Sequence, residues 1–363
     1  MFTKVHGRAV RVSLLVGMCC AVLIGGGGFL WELRGIAAHL AEGDPAEGSY
    51  VQDPEQADRA AAAVLDGLAR EVPAQDVPVG EVPEQEAPVR ETPAPEAPVR
   101  ETPAPEAPVR ETPAPAPAPP GPTAQGTGGP PAGVHWRSGG WQPSDPLVAR
   151  PAAAEPATGA LFSPGEDGDQ DHHCSAGVVH SPDGDLIATA AHCVYRGSFG
   201  FRTNLAFAPG YRDGEAPYGI WVPTRIDVDP RWTEDQDPDH DVAFLRMRRP
   251  GRPGERLEDA TGAHTIRFRP ELPAPARVVG YPNDTEHPVE CFNTARAAGP
   301  AQLRLDCADV PDGTSGGPVL TDAHTLIGVV GGRDGGGDET TSYSSRFDEA
   351  VRALYERAVA APR

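Results

Sequence analysis

Three short segments of this 363-residue chain hold side chains that could together attack and cleave an acyl bond. They are a histidine in Thr189-Ala190-Ala191-His192-Cys193, an aspartate in His240-Asp241-Val242-Ala243-Phe244-Leu245, and a serine in Gly313-Thr314-Ser315-Gly316-Gly317-Pro318. A serine hydroxyl is a weak nucleophile near neutral pH and needs an adjacent base to take its proton. Histidine suits that task because its pKa lies near working pH, and a buried carboxylate fixes its tautomer and stabilises the imidazolium. The glycines let the backbone turn tightly, so the amides of Gly313 and Ser315 can face a developing oxyanion. Asp237 and Asp239 compete with Asp241 for the acid's place, but only Asp241 directly precedes the apolar run. His172 and His173, beside Asp169 and Asp171, invite a metal reading. No third ligand is placed and no calcium-loop pattern fits, so neither a metal nor a cofactor is expected.

These segments need a scaffold, and the pattern predicts a β-rich one. From about Gly159, short apolar runs alternate with turn signals at 159–162, 175–180, 185–190, 204–209, 219–223, 241–247, 276–281, 317–320 and 325–332. Ser181-Pro182-Asp183-Gly184 reads as a hairpin turn between the second and third runs. So many short strands imply an antiparallel barrel or sandwich. Phe347, Val351, Leu354, Tyr355, Ala358 and Val359 have helical spacing instead, with Ser345 and Asp348 set as a capping box. The expectation is one all-β domain over 151–363, closed by a helix and large enough for a core.

The N-terminal part reads differently. Lys4, Arg8 and Arg11 precede an uncharged stretch from Val12 to Trp31, about 30 Å long as a helix and matched to a hydrocarbon core. The positive flank places the N-terminus inside and the remainder outside. Residues 1–34 are therefore expected to be a signal-anchor or a cleaved signal peptide, giving a membrane-held or a secreted protein. Residues 35–150 are expected to be disordered linker, with one weakly helical Ala-rich patch at 58–70. Decapeptide repeats rich in Pro, Glu and Ala occupy 71–120, where no core can form. Extended as polyproline II, they could reach on the order of 150 Å and act as a stalk. The formal charge of −21 argues against a nucleic-acid partner. Cys174, Cys193, Cys291 and Cys307 would form two disulfides in an exported domain, with connectivity open on counting alone.

Taken together, TAAHC, the aspartate-led strand and GTSGGPV, in the order His, Asp, Ser, resemble the chymotrypsin-like (trypsin-fold) serine proteases, in their compact bacterial branch. The resemblance covers roughly 159 to 363. It implies two six-stranded antiparallel β-barrels with the triad in the cleft between them, His192 and Asp241 from the first and Ser315 from the second. It also implies that Cys174 pairs with Cys193, which leaves Cys291 for Cys307. The implied activity is an extracytoplasmic serine endopeptidase, a monomer acting on protein or peptide substrates. A silent homologue displaying a binding surface is the alternative, disfavoured by the intact set of three.

Two departures from the family pattern stand out. Thr314 precedes the serine where animal digestive relatives have an aspartate that receives a new N-terminal amine, so that activation switch is unsupported. Pro311 replaces a cysteine of the disulfide that frames the pocket in trypsin-like members. Asp309, six residues before Ser315, has the offset of a pocket-floor carboxylate, and Gly331 and Gly332 match the substrate-pairing segment. With Asp312 near Asp309, a basic side chain is the preferred substrate residue, since two carboxylates would repel an acidic one.

Overall fold

The strand His172–Val179, which holds Cys174, runs through the core, because six consecutive residues of it, Cys174 to Val179, are buried. The computed structural model describes residues 40–71 apart from Glu42 and Pro45, together with 141–165 and 172–362. The expected N-terminal apolar span, the repeats beyond residue 71, and Asp169 with Asp171 lie outside the described residues. Among those described, no helix is long and apolar enough to cross a membrane.

Two largely antiparallel sheets form the body. The first orders its strands as Ser49–Val51, Val222–Val228, Ala243–Arg248, Leu186–Thr189, His172–Val179, Thr158–Phe162 and Ala206–Pro209. A backbone bridge from Phe207 to Trp221 ties its last strand back toward Val222. The second has nine strands, centred on Pro318–Leu320, Ala274–Gly280, Val289–Ala297, Gln302–Asp306 and Thr341–Ser345. Thr325–Val329 pairs with Pro318–Leu320. Neither strand path closes into the six-stranded barrel expected; each carries extra edge strands, which cover backbone groups that would otherwise stay unpaired. The hairpin at 181–184 forms as expected, with Gly184 donating to the Ser181 carbonyl. Val289–Ala297, Gln302–Asp306 and Thr341–Ser345 escape the sequence reading because polar and small residues interrupt them.

The C-terminal helix spans Glu349–Ala360, and Asp348 caps it by accepting from Ala350 and Val351 amides at 2.8 and 3.2 Å. Ser345 is not part of this cap, a correction to the expected capping box: it ends the preceding strand and turns its hydroxyl toward Pro238. Val351, Leu354 and Ala358 bury against Val179, Leu186 and Phe244 of the first sheet, and the same cluster holds Val279, Leu320 and Leu326 of the second. The Val and Leu side chains among them contribute about 1.5–3 kcal/mol each on full burial. Arg246, itself buried, donates to the carbonyls of Ala358 and Val359 and so satisfies the helix's free end.

The larger departure concerns the expected linker over 35–150. A helix of 18 residues, Pro54–Glu71, lies within it, with Asp53 accepting from the Gln56 amide at 2.8 Å and Pro54 in the first turn. Its Ala57, Ala61, Val64 and Leu68, three or four residues apart, bury against Phe162, Ala206, Ala208 and Val222. On the far side of the repeats, Ser144 exchanges bonds with Phe292, and Arg150–Pro151 pairs with Val289–Glu290. Alanine-rich and proline-flanked sequence looks like linker by composition, yet a small-residue face is what a close helix-on-sheet contact needs.

Candidate active site

His192 sits in a single helical turn, Ala191–Cys193, directly after the strand Leu186–Thr189. The Cys174–Cys193 disulfide pins this turn to the start of the neighbouring strand. Cys291 pairs with Cys307, so both bridges match the expected connectivity. Asp241 is fully buried, at the end of the turn Pro238–His240 and just before Ala243–Arg248.

The two side chains meet closely. The His192 Nδ1 lies 2.7 Å from Asp241 Oδ2, and the His192 amide donates to Oδ1 at 2.9 Å. Gly332 donates a third bond, 2.7 Å to Oδ2, while the Asp241 amide donates to the Ser345 hydroxyl at 3.0 Å. A buried carboxylate is costly unless its lone pairs are engaged, and here they are. Burial pushes the His192 imidazole down, but the charge and hydrogen bond of Asp241 outweigh it and hold the imidazole above its ordinary range. The His192 side chain remains 28% exposed, so part of the ring reaches solvent. The rival acids are spent elsewhere: Asp237 on His240 at 2.9 Å, Asp239 on Gln302 at 2.9 Å.

Ser315 comes from the second sheet, on the turn that leads into Pro318–Leu320. Its carbonyl accepts from the Ser175 amide at 2.7 Å, linking it to the residue beside Cys174. The next residue, Gly316, has φ +79°, and a Cβ there would lie 2.0 Å from Thr189 Oγ1 and 3.0 Å from the Ala190 nitrogen. Only glycine lets the serine turn close onto the strand end that carries His192. The carbonyls of Asp312 and Thr314 accept from Asn283 and Gly317 amides, both at 2.9 Å. Because a trans peptide sets C=O and N–H on opposite sides, the amides of Gly313 and Ser315 face away from those partners. The Ser175 hydroxyl donates to the Gly313 carbonyl at 2.9 Å and accepts from Tyr281. Thr314 turns inward, its hydroxyl donating to Pro311 at 2.6 Å, so the turn closes on itself without a charged partner.

Beside Ser315 lies a cleft of about 520 Å³ that Asp309 and Asp312 line. The fold adds Asp334, Asp338 and Glu339, which no sequence offset singled out, and among the described lining residues none is basic. Gly331 and Gly332 border Asp241 instead: their amides donate to Tyr343 and Asp241, and the Gly332 carbonyl accepts from Gly335. Both amides are therefore already engaged and are not free to donate to a substrate strand. His172 and His173 diverge to separate carbonyls, of Thr285 and Cys193, and burial pushes His173 down to about 3. The one close group of metal-type ligands among the described residues is Cys174, His192 and Cys193, and its two sulfurs are joined to each other. Ser175, Asn283 and Ser345 were missed in the sequence, since a lone serine or asparagine outside a motif carries no local signal.

Residues 174–329 match the family model described as a trypsin-like peptidase domain. A curated relative, an extracellular metalloprotease of Bacillus subtilis (strain 168), is 29% identical over 100 residues, which are 28% of this chain and 31% of that protein. The chain thus spans about a third of that relative's length. Among solved structures, the protease Anisep from Arthrobacter nicotinovorans is similar with a TM-score of 0.53 and 24% identity, over 59% of this chain and 100% of that one. A thermostable serine protease from an extremophilic microorganism gives 0.52 and 24%, over 58% and 100%. At that identity these likenesses speak for the fold.

Proposed function

Because this chain belongs, through residues 174–329, to the trypsin-like peptidases, we propose that it is a serine endopeptidase working through His192, Asp241 and Ser315. The observation that carries this reading is the His192–Asp241 pair, with every contact of a buried carboxylate directed to one imidazole and its surroundings. In the proposed cycle His192 Nε2 takes the Ser315 proton as Oγ attacks the scissile carbonyl, and Asp241 holds the imidazolium by its Nδ1–H. The tetrahedral oxyanion receives bonds from the Gly313 and Ser315 amides. His192 then protonates the leaving amine, and water, activated by the same imidazole, hydrolyses the acyl-enzyme. No metal or cofactor is drawn on. A fluorophosphonate probe tests the reading directly: Ser315 should be labelled, and an unlabelled native protein would overturn it.

The carboxylates around the cleft support a preference for Arg or Lys in the residue whose carbonyl is attacked. Asp309→Asn should lower kcat/KM for such substrates by about tenfold, as expected for a lost bond to a charged group, and leave small apolar ones unchanged. Equal loss on both would remove Asp309 from the specificity role. The two disulfides, the basic-flanked apolar stretch at 12–31 and the extracellular relative support a catalytic domain outside the cytoplasm.

A further inference from the structure

The repeat region is bounded on both sides by one compact unit, since the segment before it and the segment after it both pack into the same body. This gives residues 40–71 a role that their composition hides.

We propose that residues 40–71 are an intramolecular brace for the loop that carries His192, and that the brace stays docked when the chain is cut within 72–140. Its contacts converge on the stretch that follows His192. Leu40–Ala41 pairs with Phe201–Arg202, where the loop rejoins a strand. Tyr50 stacks on Phe201 at 5.8 Å between ring centroids, and Phe201 meets Tyr195 edge-on at 4.9 Å. Gln52, buried, donates to the Thr203 carbonyl at 2.9 Å, and Gln56 donates to the Thr203 hydroxyl at 2.6 Å.

A second line of contact reaches the same site from its other side. Ser49–Val51 adds an edge to Arg225–Asp227, and that strand runs through Asp229 into the helix Pro230–Asp235. Trp232 of this helix lies 6.5 Å from the His192 ring. Main-chain pairing along a sheet edge together with apolar anchors is a mode by which separate peptides bind sheets. Here the anchors are Val64 and Leu68, and Arg248 adds a bond to Pro54 and an ion pair to Asp58 at 2.6 Å. No disulfide among the described residues joins 40–71 to the remainder, so among them the pieces would be held after a cut by non-covalent contacts.

The activity readout rests on the serine-peptidase reading, but the binding readout does not. A recognition sequence for a site-specific endoprotease is placed between residues 120 and 128 of the full chain, and the cut protein is passed over gel filtration and treated with a fluorophosphonate. The expected result is co-elution of both pieces with the labelling rate retained. In Val64→Asp the cut pieces should separate, and the labelling rate should fall about tenfold or more, since a small displacement of a base is costly. An added synthetic 40–71 peptide should restore it. Separation of the native pieces on cutting, or separation in the variant with labelling unchanged, overturns the brace. If the intact native chain is never labelled, the peptidase reading fails while co-elution still decides the docking.

Discussion

The two halves of the candidate site are held by different kinds of bond. Asp241 and His192 are fixed through side-chain atoms, with three donors on one carboxylate and a serine hydroxyl behind its amide. The Ser315 turn is fixed mostly through backbone, by Ser175, Asn283, Gly317 and Val330, with one bond each from the Ser175 and Thr314 hydroxyls. The contrast follows from charge. A carboxylate without solvent must have its oxygens satisfied in the resting protein. The serine turn carries no charge until the oxyanion forms, so it needs only its shape set in advance, which the backbone provides.

Removing one reacting group from each half should give the largest effects. Ser315→Ala and Asp241→Asn should each lower peptide hydrolysis by about 10⁴-fold, the first by deleting the nucleophile, the second through the wrong tautomer of His192. The double variant should be little worse than either alone, and additive losses in kcat would show that the halves act independently.

The disulfides divide the same way, one beneath each half. Replacing either pair by alanine should cost roughly 2–5 kcal/mol, read from denaturant unfolding. Loss of Cys174–Cys193 should also slow fluorophosphonate labelling, because it pins the His192 turn. If Cys291–Cys307 proves the more damaging to labelling, the base is not held as described.

The pH response isolates the charged half. Asp241 stabilises the imidazolium, so the His192 pKa lies above the ordinary imidazole value, and hydrolysis should fall about tenfold per unit below it. Stability runs the other way: a raised folded-state pKa contributes stability below the unfolded value and loses it as pH rises through the folded value. An imidazole NMR titration should show the pKa lowered in Asp241→Asn. Activity undiminished at pH 4 would sink the mechanism.

The smallest effect should come from Ser345→Ala, which removes the hydroxyl that Asp241's amide meets. A loss of about tenfold or less in kcat, with KM unchanged and the pH midpoint shifted, would mark a positioning role. An unshifted profile with a lowered melting temperature would make Ser345 merely structural.

How the triad could be read from the chain, and Ser345 could not, has a physical cause. Reactive groups sit in local motifs because a strand end, a tight turn and a strand entry each need particular neighbours in sequence. The motifs around His192, Asp241 and Ser315 stood out for that reason, and most strands of the first sheet, the turn at 181–184 and, through the family resemblance, both disulfides were legible too. Their supports lie far along the chain: Ser345 is 104 residues from Asp241, and Ser175 is 138 from Gly313. Nothing near Ser345 distinguishes a hydroxyl that serves an acid from one that caps a helix.

Composition and short-range periodicity thus determined the β-rich class, and local motifs marked out the residues proposed to react. Only the tertiary structure decided that residues 40–71 belong to the folded body, that five carboxylates share one cleft, and that Gly332 serves Asp241. An Ala-rich helix is marginal alone, because propensity barely offsets the entropy of ordering it. It becomes structure when a sheet surface with Phe162, Ala206, Ala208 and Val222 is there to receive its small-residue face, and no window of sequence contains both partners.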